Sequence, residues 1–171
     1  DAYLFVFNLV TWPIAVWFSV LTAVLVPLAS RLRQAAPEEL PCFRSELLGL
    51  SILIGLALTF LGWLGLPLLL GASWTGLPSA TMETAITVSP ALTVLAPLGV
   101  IISLFSAWML AAARHVNTLL ESVPALVILI TLLVFRSGGI EPLVWGTVVG
   151  FALHLASLGV PLARQSEIGT P

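Results

Sequence analysis

Lysine is absent from this chain, and all six of its basic residues are arginine. Charged residues of both signs make up only 8% of its 171 residues, against about 25% in an ordinary soluble domain. Such scarcity excludes a soluble cytoplasmic enzyme, a disordered chain and a nucleic-acid binder, which needs a basic face. A single cysteine, Cys42, excludes an internal disulfide and any metal site built on two or more thiolates. Two histidines, His115 and His154, are too few for a metal cluster, so no metal or other cofactor is expected. There is no HExxH, no Gly-rich phosphate loop after a strand and no serine, histidine and acid at a triad-like spacing. An enzyme is therefore not expected. No basic n-region or cleavage site marks a signal peptide. An opening Asp1 directly before an apolar run reads as a start inside a longer protein.

What fills the chain is apolar. Hydrophobic residues make up 59%, and the mean hydropathy is +1.13. The expected fold class is therefore an all-α integral membrane protein, a polytopic helical bundle. About 20 apolar residues cross the hydrocarbon core, and a helix is the economical choice because an open strand leaves backbone groups unpaired in lipid. Five charge-poor stretches meet that length, at 2–30, 47–70, 84–113, 116–135 and 140–163. The segments between them carry turn chemistry: Pro37, Pro41 and paired glutamates in 31–46, Gly, Ser and Pro in 71–83, and Ser-Gly-Gly in 136–141.

Five spans place Arg31, Arg33, Arg44, Arg114 and Arg164 on one side and Arg136 on the other. The positive-inside rule puts the arginine-rich side in the cytoplasm and Asp1 outside. An N-terminus outside without a signal sequence again implies a helix upstream.

The few polar residues within the spans are the candidate functional groups. Pro13, Pro90, Pro97 and Pro124 lie within spans, where each removes a backbone hydrogen bond. Bent helices are common in transporters, and prolines are also simply more frequent in membrane helices. Glu121 lies about 10 Å along a helix from Arg114 at ~1.5 Å per residue, with Asn117 on the same face. The three form a polar stripe on a cavity wall, or else Glu121 packs against a neighbouring helix as a neutral or paired group. Asp1, Asn8 and Thr11 share a face at the outer end of the first span; Asp1 alone also reads as a helix cap. His154, among Phe151, Leu153 and Leu155, is either a proton-titrating group or the donor of one interhelical hydrogen bond. Six tryptophans fall mostly toward span ends and read as interface anchors.

The opening Asp1-Ala2-Tyr3-Leu4-Phe5-Val6-Phe7-Asn8-Leu9 resembles the start of the second helix in the MurJ/MviN lipid II flippases of the MOP exporter superfamily. Val26-Pro27-Leu28 is similar to the end of that helix, and Ser103–Ala107 through Arg114 looks like the fourth helix entering its cytoplasmic turn. The resemblance implies a partial N-lobe, helices two to six of a fourteen-helix protein in the bacterial inner membrane. It also implies a two-lobed transporter that carries an undecaprenyl-linked glycan precursor by alternating access, coupled to a monovalent cation, a proton or the membrane potential. Its partners are then the lipid-linked oligosaccharide and membrane lipids, not nucleic acid. Cavity or gate residues would be Asp1, Asn8, Thr11, Arg114, Asn117 and Glu121, with Arg114 the phosphate partner. The chain departs from the family at Ile14-Ala15, where paired arginines are expected, and at Thr118 and Ser122, where prolines are expected. Another lipid-linked polysaccharide, a cation-coupled drug antiporter and a non-transporting membrane scaffold are the alternatives.

Overall fold

The computed structural model describes residues 1–71, 76, 78–112 and 120–164, with backbone alone at 161, 163 and 164. All regular structure among them is helical. The order is α1 (Ala2–Val20), α2 (Val26–Ala35), α3 (Leu40–Leu70), α4 (Ser79–Thr93), α5 (Leu95–Ala111), α6 (Val123–Val134) and α7 (Glu141–Arg164).

Prolines set the irregularities. A π-helical turn, Leu21–Leu25, joins α1 to α2 within one 34-residue rod, Ala2–Ala35. Pro27 follows it, and a proline ring collides with the carbonyl four residues back, here that of Ala23. Widening the turn makes room: the Val26 N–H reaches back five residues to the Leu21 carbonyl. Pro97 has the same conflict with the carbonyl of Thr93, and there the helix breaks. Between α4 and α5 the axis bends by 44°, and the Val94 N–H bonds instead to the Ala91 carbonyl at 3.3 Å. Pro90 deprives the Ile86 carbonyl of its donor without a break, because the buried Ser89 hydroxyl donates to that oxygen at 2.9 Å.

The expected polar loop at 31–46 is largely helix. Arg31 and Arg33 extend α2, and Arg44 and Glu46 belong to α3, so only a short turn with 3₁₀ helix Pro37–Glu39 remains. Polarity there marks where the helices leave the apolar zone, and Pro41 at the start of α3 has no hydrogen bond to lose.

Three helical stretches are long and apolar enough to cross a membrane, Ala2–Ala35, Pro37–Leu70 and Glu141–Val160, and the bent α4–α5 pair makes a fourth if it crosses once. The remaining expected span, 116–135, is represented by α6, whose 12 residues reach about 18 Å of a hydrocarbon core ~30 Å thick. Residues 116–119 of that span lie outside the described residues.

Two core clusters fix the helix directions. One joins the start of α1 (Tyr3, Val6), the end of α3 (Leu66, Leu70), α4 (Val88, Leu92) and the start of α7 (Val144). The other joins Leu21 and Leu25, the start of α3 (Leu48), α5 (Leu104, Trp108) and the end of α7 (Leu158, Leu162). Hence α1, α4–α5 and α7 run one way and α3 the other. The outer surface is apolar, with Phe60, Leu68 and Trp63 of α3 and Leu126, Leu129 and Val134 of α6 more than half exposed. An apolar surface of this extent belongs in lipid, and the chain is membrane-embedded.

Two tryptophans depart from the interface-anchor reading. Trp108 is 3% exposed in the second core cluster. The Arg44 guanidinium lies 5.2 Å from the centre of its ring, and Phe43 meets it edge-on at 6.0 Å. Trp17 is half-buried, and its indole N–H is enclosed without an acceptor.

Candidate functional site

The site begins with three positions spaced by four on α7: Gly146, Gly150 and His154. Residues at this spacing share a face. A Cβ on Gly150 would stand 2.9 Å from the Cα of Pro124, and one on Gly146 would stand 3.1 Å from Thr131 and 3.4 Å from the Cα of Ile128. The two bare positions let α6 lie against the α7 backbone, as small residues do in membrane helices. Thr131 and Pro124 descend α6, toward Glu121 in the turn before it, as Gly146, Gly150 and His154 ascend α7, so the helices are antiparallel. The same register brings His154 to the Glu121 end.

There a cavity of about 150 Å³ is lined by Phe18, Ile102, Ser103, Ser106, Glu121 and His154. His154 is 5% exposed, and its Nε2 has no hydrogen-bond partner. Glu121 is exposed and lines the same cavity. The cavity thus runs from an exposed carboxylate to a buried imidazole, with two α5 serines along its wall. The Ser103 hydroxyl donates to the Gly99 carbonyl at 2.7 Å, which leaves its oxygen lone pairs as acceptors. A cavity of this size admits water, and its groups suit the binding and exchange of protons.

Glu121 does not lie within a helix as expected. It occupies a turn before α6, whose N-cap is Ser122. Two residues farther on, Pro124 takes one of the first two helical positions, where its missing N–H costs nothing. Arg114 and Asn117, the other two members of the expected stripe, lie outside the described residues. Asp1 occupies the α1 cap position without a side-chain bond. Asp1 and Asn8 are exposed, and Thr11 is half-buried. The Thr11 hydroxyl donates to the Phe7 carbonyl at 2.8 Å, with the Asn8 carbonyl at 3.5 Å. These three belong to the opposite end of the bundle from Glu121 and His154, and the structure does not bring the two groups together.

Sequence reasoning missed Phe18, Ser103 and Ser106, and it took Glu121 and His154 as separate candidates. The signal that joins them is the Gly146-x-x-x-Gly150 spacing, which aligns α7 with α6. A second cavity, of about 190 Å³, sits at the α4–α5 bend between Pro13 of α1, Gly62 and Leu66 of α3, and Thr93 and Ala96. Its lining is apolar apart from Thr93. Among the described residues no group of three or more His, Cys, Asp or Glu could hold a metal ion.

Comparison with protein-family models, curated proteins and solved structures gave no match.

Proposed function

We propose that this chain is part of a membrane transporter that moves a lipid-linked, undecaprenyl-type glycan precursor across the bacterial inner membrane by alternating access. The observation that carries the reading is the 44° bend between α4 and α5, a proline hinge in the middle of an apolar bundle. Broken helices of this kind let one part of a transporter rock against another. The resemblance of the opening segment and of Ser103–Arg114 to the MurJ/MviN flippases points to lipid II as the cargo. In this reading Arg114 meets the pyrophosphate with its planar, bidentate guanidinium, and Asn117 and Glu121 continue the polar wall. Asp1, Asn8 and Thr11 line the outer approach.

A second reading is a cation-coupled antiporter of the same superfamily. It is favoured by the pairing of an acid and an imidazole in one cavity, where a receptor for pyrophosphate would gather cations.

Expression of the complete gene in cells depleted of their own lipid II flippase separates the two. Growth rescue that Arg114→Ala abolishes supports lipid II transport. Failure to rescue despite good membrane expression rejects lipid II as the cargo, and efflux of organic cations by the same cells would then establish the antiporter.

A further inference from the structure

We infer that the Glu121–His154 cavity is a proton-binding site, with the proton taken at Nε2 of His154 and held against the Glu121 carboxylate. Three observations meet there. The imidazole is buried, and its Nε2 lacks a hydrogen-bond partner, an arrangement that is costly for a polar group left unsatisfied. The cavity into which it faces is bounded by Glu121 at the exposed end, so there is a route for protons from water. The remaining lining adds no charge: α1 supplies Phe18, and α5 supplies Ile102, Ser103 and Ser106. Glu121 is thus the charged side chain of the lining, and Arg114 and His115 of the adjoining residues lie outside those described.

Binding is a simple equilibrium. A proton from water forms an N–H bond at Nε2, and the imidazole becomes an imidazolium with one added positive charge. The site lies where α6 is already held against α7 through Gly146 and Gly150. The inference concerns binding alone and stands independently of the cargo.

The test uses the complete protein in lipid nanodiscs, with imidazole-¹⁵N histidine and His115→Gln, so that within this chain His154 is the sole reporter. Other histidines of the complete protein are subtracted with a matched His154→Gln spectrum. The expected result is one reversible protonation step for His154 between about pH 4 and pH 8. Adding Glu121→Gln removes the carboxylate that lines the same cavity and is expected to move the midpoint. An imidazole that stays neutral over the whole range overturns the inference, and this is decided without the Glu121 variant. An unchanged midpoint in Glu121→Gln overturns the part assigned to the carboxylate. Transport failing while the titration persists would sink the cargo reading and leave this one standing.

Discussion

Gly150 meets Pro124 so closely that any Cβ at position 150 would lie 2.9 Å from the proline Cα and 3.0 Å from its carbonyl oxygen. Backbone faces backbone at this point, so nothing flexible can yield. The contact holds α6 in register on α7 and thereby decides which residue of the α6 end meets His154.

Gly150→Ala is therefore expected to destabilise the bundle by about 1–3 kcal/mol, the usual penalty of overpacking. Gly65→Ala is the control, since nothing lies within 4 Å of a Cβ there. Unfolding in mixed micelles with increasing SDS measures both, and equal midpoints would remove the close-packing account.

Tyr3 and Thr147 join α1 to α7 through a buried 2.7 Å hydrogen bond. The Thr147 hydroxyl already donates to the Leu143 carbonyl at 2.7 Å, so the Tyr3 phenol is the donor. A double-mutant cycle with Tyr3→Phe and Thr147→Val is expected to give a coupling of about 0.6 kcal/mol, typical of hydrogen bonds between membrane helices. A coupling of zero would mean that the two helices are held by apolar contact alone.

The bend at Val94 follows from Pro97. Pro97→Ala restores a donor for the Thr93 carbonyl and should straighten α4–α5. Spin labels at Glu83→Cys and Leu110→Cys, in a Cys42→Ser background, are expected to move apart by about 3 Å, from the helical rise and the 44° angle. An unchanged distance would place the cause of the bend in the packing around it.

Sidedness is open to a direct test through the native Cys42, which is exposed in the first turn of α3. The distribution of arginine predicts that a membrane-impermeant maleimide labels Cys42 in inverted vesicles and not in intact cells. Ser137→Cys, in the α6–α7 turn, should behave the opposite way. Labelling of both from the same side would reverse the topology of at least one helix.

The membrane class and the all-helical fold were legible in the sequence because lipid imposes them through composition. Helix ends were less so. The loop expected at 31–46 dissolved into α2 and α3, since a polar residue can continue a helix once it has left the hydrocarbon zone. Pro97 was recognisable as a disruptor and Pro27 was not singled out as one, and whether a helix answers a proline with a π turn or a 44° bend depends on its neighbours. Glu121 and His154 each stood out as polar residues in apolar surroundings, yet they lie far apart along the chain. Their meeting depends on the register of α6 on α7, which hydropathy does not encode and the spacing of Gly146 and Gly150 does.

The central claim, transport of a lipid-linked glycan about a proline hinge, is tested most directly in vesicles. The complete protein is reconstituted with a fluorescent undecaprenyl-pyrophosphate glycan, and an impermeant quencher follows its movement between leaflets. The account predicts flipping well above protein-free vesicles, slowed about tenfold by Pro97→Ala, equivalent to ~1.4 kcal/mol on the barrier, and unaffected by Gly65→Ala. Flipping no faster than in protein-free vesicles, from protein that retains its helical circular dichroism, would contradict it.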